Sequence, residues 1–234
     1  MEFSGRTVVI TGAAGNLGRA VAQAFAGRGA NLALVDVERD VLASAHGDES
    51  ATRMFVPTDL LDQPAVSAMA AAVTGRFGGI DVLCNIAGGF RMGEAVHETG
   101  DDTWNFLFDL NARTMLHAVR AVVPGMVRAG RGKIVSVGAF AAQKGAAQMG
   151  AYVASKSAVI RLTETMAAEL RDKGINVNCV LPTIIDTPQN RQAMPGADPS
   201  RWVSPQDLAA TIVFLASDGA RAIHGAAIPL TGLV

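Results

Sequence analysis

Tyr152 and Lys156 are the two side chains whose types and spacing most directly suggest chemistry. A separation of four residues places them one turn apart on the same face of a helix. A phenol has an ordinary pKa of about 10, and a nearby ammonium group favours the phenolate and lowers that pKa. The pair therefore predicts a proton donor and acceptor, although Tyr and Lys also meet at this spacing by chance on many helices.

A glycine-rich turn lies near the start of the chain, between a short apolar run and a helical pattern. Gly12, Gly15 and Gly18 follow the apolar residues 8–10, and an apolar helical repeat begins at Leu17. A strand, a glycine turn and a helix in this order form the context of a dinucleotide site. The helix N-terminus would supply amide donors and a partial positive charge to a pyrophosphate. The alternative is a plain strand-to-helix turn that needs glycine only for its dihedral angles.

Asp36 ends the next apolar run, at about the distance from the glycine turn where dinucleotide sites carry an acidic residue. A carboxylate there can accept hydrogen bonds from the adenosine ribose hydroxyls, and it would repel a 2′-phosphate. The sequence therefore favours NAD over NADP, although Arg39 could weaken this preference. The alternative role for Asp36 is to cap the next helix.

The composition is typical of a globular α/β domain with a large core. Half of the 234 residues are apolar, 18% are charged and the net charge is −1, so nothing predicts attraction to nucleic acid or to a membrane. Cys84 and Cys179 lie in apolar runs and are predicted to be free thiols. We find no secretion signal and no apolar span, and therefore expect a cytoplasmic protein. The four histidines lack metal-ligand spacing, so no metal site is predicted.

Strand-like and helical patterns alternate along the chain. The strand-like runs are rich in Val, Ile and Leu and comprise Thr7–Ile10, Asn31–Val35, Thr52–Val56, Ile80–Cys84, Lys133–Val137, Asn176–Leu181 and Ala226–Pro229. The helical patterns cover Asn16–Arg28, Gln63–Phe77, Thr103–Arg128, Ala151–Asp172 and Pro205–Leu215. This alternation predicts a doubly wound parallel sheet of about seven strands, with helices on both faces, in one domain over residues 1–234. The longest irregular stretch, Pro182–Val203, leaves the carboxyl end of a strand, and we expect it to cover the substrate.

The chain resembles the short-chain dehydrogenase/reductase family along essentially its whole length. The resemblance depends on the glycine turn, Asp36, the pair Asp59-Leu60, the run Asn85-Ile86-Ala87-Gly88, Asn111, the motif from Tyr152 to Lys156, and Thr187. It implies a Rossmann fold that binds NAD(H) and transfers a hydride between the nicotinamide and a small substrate. It also implies a homodimer or homotetramer.

The resemblance implies roles for the matched residues. Tyr152 would supply the proton, Lys156 would lower its pKa and hold the nicotinamide ribose, and Asn111 would anchor a water that relays protons. The remaining cofactor contacts would come from Gly12, Gly15, Asn16, Leu17, Gly18, Asp36, Asp59, Leu60, Asn85, Ala87, Gly88, Ile185 and Thr187. Asp59 would touch the adenine ring, or else cap a helix. Thr187 would hold the carboxamide or phosphate end, or else only end a segment before the proline that follows.

One departure from the family pattern concerns the residue that supports the acceptor oxygen. The family usually has a serine thirteen residues before the tyrosine, and Ala139 stands there. Ser136 comes three residues earlier and, by strand alternation, points to the opposite face. Losing one such donor typically costs about 3 kcal/mol of transition-state stabilisation. Either the chemistry does not need the donor, or the site is inactive.

A second departure is the position of the middle glycine, which is Gly15, one place earlier than in the common single-domain members. Both departures and the run 181–195 resemble the dihydropteridine reductases within the family. This implies a quinonoid dihydropterin as substrate, with Phe90 stacked beside it; the alternative for Phe90 is core or lid packing. Two alternatives remain for the protein: a carbonyl or 3-oxoacyl-type reductase or alcohol dehydrogenase of the same family, and a catalytically silent NADH sensor.

Overall fold

The computed structural model describes residues 2–234, and within them a single parallel sheet runs through the molecule. Its strands are β1 Thr7–Thr11, β2 Asn31–Asp36, β3 Arg53–Pro57, β4 Val82–Asn85, β5 Gly132–Val137, β6 Ile175–Pro182 and β7 Ala227–Leu230. They lie in the order β3-β2-β1-β4-β5-β6-β7, and every neighbouring pair is parallel. All residues of β1, β4 and β6 are buried, as expected for strands covered on both faces. The predicted doubly wound sheet is confirmed, with all strand ends within two residues of the predicted ones.

Helices connect the strands and cover both faces of the sheet. They are α1 Asn16–Ala26, α2 Arg39–His46, α3 Gln63–Phe77, α4 Asp101–Phe108, α5 Thr114–Ala129, α6 Gly150–Leu170, α7 Pro188–Ala193 and α8 Pro205–Ala216. The sequence did not predict α2. Among its residues only Leu42 is buried, so the helix has no apolar repeat that sequence analysis could detect.

The two faces of the sheet belong to two apolar cores, and β1 contributes to both. Val8 and Ile10 lie in the core that includes Leu17 of α1 and Ile212 of α8. Val9 points the other way and lies in the core formed with residues of α3 and α5. Helix α1 packs on α8 and α3 packs on α5, which confirms the prediction of helices on both faces. Among residues 2–234, no helix combines the length and apolar character that crossing a bilayer requires.

The predicted helix Thr103–Arg128 is confirmed as an uninterrupted helical segment that consists of α4, a π-helical turn at Asp109–Arg113, and α5. The sequence did not predict the π turn. A π turn inserts one extra residue into the helical ladder, which periodicity analysis of the sequence does not detect. The π turn contains the buried Asn111 and therefore determines where this side chain lies.

The prediction that Pro182–Val203 is irregular is wrong. The segment contains α7 and a 3-10 turn at Pro199–Arg201. Thr187 caps α7, because its Oγ1 accepts a hydrogen bond from the amide of Asn190 at 3.2 Å, and the following proline suits the first position of a helix. The segment therefore has regular structure. We call residues 182–203 the flap.

The glycine turn gives a stability test with an internal control. A Cβ on Gly18 would lie 2.2 Å from the carbonyl oxygen of Gly12 and 2.8 Å from the Cα of Ala13. We expect Gly18→Ala to lower the free energy of unfolding by about 2 kcal/mol or more, because backbone atoms must move. A Cβ on Gly75, in α3, would meet nothing within 4 Å, so Gly75→Ala should raise it by about 0.5–1 kcal/mol. Urea denaturation measures both, and equal effects of the two variants would contradict the packing described here.

Candidate active site

Tyr152 and Lys156 lie in the first two turns of α6, as their spacing predicts. Lys156 is buried, and its Nζ donates a hydrogen bond to the carbonyl oxygen of Val137 at the end of β5 (2.8 Å). A Cβ on Gly88 would lie 3.0 Å from this Nζ and 2.9 Å from Oδ1 of Asn111. Lys156, Asn111 and the loop after β4 therefore meet at one point, and glycine at position 88 leaves room for both polar groups.

The shift in the pKa of Tyr152 is opposite in direction to the shift expected from the sequence. Burial raises the pKa of Tyr152 to about 12, whereas proximity to Lys156 was expected to lower it. Burial also lowers the pKa of Lys156 to about 8. Removing the charged form from water is unfavourable for both groups, and burial is the largest cause of both shifts. At pH 7 the phenol is therefore neutral and is suited to donate a proton.

Asn111 connects the loop after β4 to α6. Its Nδ2 donates to the carbonyl oxygen of Gly89 (3.1 Å) and to Oγ of Ser155 (3.0 Å), and its Oδ1 accepts from the amide of Gly89 (2.9 Å). Ser155 is fully buried, and its hydroxyl donates to the carbonyl oxygen of Tyr152 (2.8 Å). Sequence analysis missed Ser155, and its position beside Lys156 was the only signal available. The π turn places Asn111 where it can make these contacts.

The glycine turn leaves the N-terminus of α1 open. Cβ atoms on Gly12 and Gly18 would collide with backbone atoms of Ala87 and Ala13, whereas one on Gly15 would meet only an ordinary contact at 3.4 Å. Gly15 is the N-cap, without a side-chain cap, and the first turn of α1 carries no acidic residue. Free amides and a partial positive charge are what a pyrophosphate requires, so these residues fit a dinucleotide. Dihedral freedom alone does not explain the close packing of the turn.

Asp36 joins the end of β2 to the glycine turn. Its carboxylate accepts hydrogen bonds from the amide of Ala14 (3.0 Å) and from the amide of the next residue (2.9 Å). The alternative that Asp36 caps α2 is wrong, because Glu38 occupies the N-cap position. Arg39 forms an ion pair with Glu49. The guanidinium that could have weakened the preference for NAD is therefore engaged with another carboxylate.

Asp59 and Leu60 follow β3 at the same edge of the sheet. Oδ1 of Asp59 accepts from the amide of Leu61 (2.8 Å), and α3 is capped instead by Asp62. The helix-cap alternative for Asp59 is therefore wrong. Leu60 is buried, and its carbonyl oxygen accepts a hydrogen bond from Nδ1 of His117 (2.8 Å).

Asn85 and Ser136 form a buried pair across β4 and β5. Nδ2 of Asn85 donates to Oγ of Ser136 (3.1 Å), and among residues 2–234 no group bonds to Oδ1 of Asn85. Ile86 and Ala87 donate their amides to the hydroxyl of Thr11 (3.1 and 3.3 Å), which fixes the loop beside the glycine turn. The buried amide oxygen of Asn85 is therefore available to accept a hydrogen bond from a ligand.

Ala139 and Phe90 define the surroundings of the phenol. Ala139 is buried in an apolar cluster against which Tyr152 packs, so position 139 offers no hydroxyl to an acceptor. Oγ of Ser136 accepts a hydrogen bond from Asn85. The ring of Phe90 packs edge to face on Tyr152 with centroids 4.8 Å apart. Phe90 is 53% exposed, which excludes core packing as its role.

The flap is fastened to the glycine turn. Nδ2 of Asn16 donates to Oε1 of Gln189 in α7 (2.9 Å), so the N-termini of α1 and α7 face each other. Ile185 is held by backbone pairing with Val203, and its carbonyl oxygen accepts from Nδ2 of Asn190 (2.8 Å). Sequence analysis missed Gln189, because nothing in the sequence relates it to a residue so distant in the chain. Within the described part of the chain, no cluster of His, Cys, Asp and Glu could hold a metal ion.

Comparisons with known proteins agree with this arrangement. A family model described as short chain dehydrogenase matches residues 6–197. D-Threitol dehydrogenase of Mycolicibacterium smegmatis is 35% identical, over 99% of this chain and 93% of that protein. Sorbitol dehydrogenase of Cereibacter sphaeroides is 33% identical, over 80% of this chain and 73% of that protein. Among solved structures, NAD⁺-bound xylitol dehydrogenase has a TM-score of 0.90 at 28% identity, covering 99% of this chain and 100% of that one.

The buried lysine gives a test of stability against pH. The pKa of Lys156 is about 8 when folded and about 10.4 in an unfolded chain, so the unfolded chain binds more protons between these values. Stability contributed by Lys156 therefore rises as the pH increases through this window. Lys156→Met removes this term, so the variant's stability relative to wild type should fall by about 1–3 kcal/mol between pH 8 and 10.4.

Urea denaturation of both proteins at several pH values measures this difference. The thiol of Cys84, whose pKa burial raises, titrates in both proteins and cancels in the comparison. The thiol of Cys179 interacts with Lys156, so a smaller contribution from Cys179 is included in the measured difference. A difference that stays constant with pH would contradict the buried, destabilised charge on Lys156.

Proposed function

This chain belongs to the short-chain dehydrogenase family, and we propose that it transfers a hydride between NAD(H) and a CH–OH group or the matching carbonyl. One observation supports the proposal most strongly. The groups that fit a dinucleotide, which are the open N-terminus of α1 and Asp36, lie at the same edge of the sheet as the neutral phenol of Tyr152 and the buried Lys156. Similarity to NAD-bound xylitol dehydrogenase, and to carveol dehydrogenase of Mycobacterium avium in complex with NAD (TM-score 0.89, 26% identity, 99% and 98% covered), supports NAD as the cofactor.

The dinucleotide, when bound, supplies or accepts the hydride. In our proposal, the free amides at the N-terminus of α1, beginning with Asn16, hold the pyrophosphate, and the lack of a side chain at Gly15 lets it approach. Asp36 accepts hydrogen bonds from the adenosine ribose. Asp59, Leu60, Asn85, Ala87 and Gly88 line the adenosine side, Lys156 holds the nicotinamide ribose, and Ile185 and Thr187 of the flap hold the nicotinamide end. Gly12, Leu17 and Gly18 determine the shape of the glycine turn on which the pyrophosphate lies. The unpaired Oδ1 of Asn85 and the uncapped α1 support this assignment.

The proton moves through the residues of α6. In the reducing direction, Tyr152 donates its hydroxyl proton to the acceptor atom while the hydride adds to the neighbouring carbon. Lys156 and a water held near Asn111 return a proton to the phenolate. Because burial raises the pKa of Tyr152 to about 12, the phenol carries its proton at pH 7 and is in the form that can donate it. The reverse reaction needs the phenolate as base, and the fraction of phenolate increases as the solution becomes more alkaline.

Two substrate classes are candidates, and the absence of a hydroxyl at Ala139 bears on the choice between them. An alcohol–carbonyl pair is the first candidate, because threitol, sorbitol and xylitol dehydrogenases all resemble this chain over most of its length. A quinonoid dihydropterin is the second candidate. It is favoured by Ala139, since its reduction forms no tetrahedral oxyanion, and by the exposed Phe90 beside Tyr152.

The remaining features of the proposal follow from the family resemblance. We propose one dinucleotide-binding domain over residues 1–234, with the flap (residues 182–203) over the substrate. We also propose a cytoplasmic homodimer or homotetramer. An NADH sensor without turnover remains the alternative that kinetics must exclude.

Replacing Tyr152 with Phe tests the proton donor. We expect Tyr152→Phe to reduce turnover about a hundredfold or more, which is the usual effect of a positioned general acid. NADH affinity should be unchanged, because the phenol oxygen is all that the substitution removes. Steady-state NADH oxidation and titration calorimetry measure the two quantities. Unchanged turnover would remove Tyr152 from the mechanism, and NADH binding without turnover in the wild type would favour a sensor.

Replacing Ala139 with Ser tests the missing hydroxyl. We expect Ala139→Ser to raise kcat/KM for a ketone by about tenfold to a hundredfold, since one oxyanion donor is worth about 3 kcal/mol. Ala142→Ser is the matched control, because Ala142 is buried in the same apolar cluster. Reduction of a quinonoid dihydropterin should not improve in either variant. An equal effect of both serines, or none at position 139, would contradict the assignment of Ala139.

A further inference from the structure

A cavity of about 150 Å³ lies against Tyr152, and its wall includes Arg91, Glu94 and Thr103. The loop after β4 and the turn before α6 form this wall together. The amide of Gly93 donates to the carbonyl oxygen of Gln148 (2.9 Å), and the backbones of Glu94 and Met149 pair as parallel strands do. This pairing holds the two segments side by side next to the phenol. The shape of the cavity is therefore fixed by backbone hydrogen bonds between the two segments that form its wall.

Arg91 brings a preoriented positive charge to this cavity. The guanidinium carbon lies 3.7 Å from the centroid of the Phe106 ring, a cation–π contact that fixes the plane of the group. Arg91 is exposed and takes part in none of the ion pairs formed among residues 2–234. Stacking engages one face of the guanidinium and leaves its N–H edges available. Those edges match the two oxygens of a carboxylate.

Glu94 is the other fully charged group in the wall. Its Oε1 accepts a hydrogen bond from the hydroxyl of Thr103 (3.1 Å), and it forms no ion pair with Arg91 in the described part of the chain. A carboxylate in the cavity is repelled by Glu94 and attracted by Arg91, so Arg91 is the residue in the wall that favours an anion.

We propose that Arg91 binds a carboxylate of the substrate, so that the site prefers small hydroxy acids and oxo acids over uncharged alcohols and ketones. This inference rests on the proposed function, because it assigns a substrate class to the same site. A volume of about 150 Å³ equals that of about five water molecules in the liquid, which suits a short acid. Arg91 is then a specificity-determining residue, while Tyr152 and Lys156 keep their roles in proton transfer.

The test compares acids with their uncharged counterparts. Lactate, 3-hydroxybutyrate and 4-hydroxyvalerate are each paired with the methyl ester, and D-threitol serves as an uncharged polyol. We expect wild-type protein with NAD⁺ to prefer the best acid over its ester by about tenfold or more in kcat/KM, with a preference that weakens at higher salt. Arg91→Gln should abolish the preference by lowering the value for the acid alone. Arg91→Lys should retain part of it, because lysine keeps the charge without the planar fork.

Arg120→Gln is the matched control, since it removes one exposed arginine from α5, outside the cavity wall. Titration calorimetry of the NAD⁺-loaded proteins measures binding separately from turnover. If the wild type binds the acid better than the ester and only Arg91→Gln removes this difference, the inference is supported. If such binding occurs without hydride transfer, the inference still stands and only the proposed function is contradicted. Turnover of esters or threitol as good as that of the acids, unaffected by Arg91→Gln, would overturn the inference and leave the proposed function intact. No binding and no turnover of any compound would contradict both.

Discussion

The buried ammonium group of Lys156 is the constraint on which the rest of the site depends. Lys156 is buried, and the carbonyl oxygen of Val137 accepts a hydrogen bond from its Nζ. An amine in such a place must be held by the fold, because burial alone disfavours its charge. The end of β5, the first turns of α6 and the loop after β4 all converge on it. The lack of a side chain at Gly88 and the amide of Asn111 complete its surroundings.

These contacts also explain the irregular parts of the fold. The π turn places Asn111 against Gly89 and Ser155, and Ser155 joins it to the backbone of Tyr152. The flap reaches the glycine turn through the hydrogen bond between Asn16 and Gln189. Departures from regular helix and loop geometry therefore occur where the two halves of the site are brought together, and strain or extra residues are commonly found at functional sites.

The sequence was sufficient for the sheet and for most of the helices, because apolar runs and glycine spacing are local signals. Helix α2 escaped detection since it buries only Leu42. The π turn around Asn111 escaped because a change confined to a single turn is too short to be recognised in an apolar pattern. The expected decrease in the pKa of Tyr152 was wrong, because burial depends on the folded surroundings rather than on residue spacing. Arg91 was overlooked for the same reason: its contact with Phe106 exists only in three dimensions.

The central claim is that a hydride crosses between nicotinamide and substrate at the edge where Lys156 is buried. Single-turnover reaction of the protein with NADH carrying deuterium at C4 tests this claim most directly, with the product analysed by mass spectrometry. We expect deuterium from one face of C4 to appear on the reduced carbon of the product, with none exchanged into water. Oxidation of NADH that leaves the product unlabelled, or binding of NADH with no transfer to any acceptor, would contradict the account.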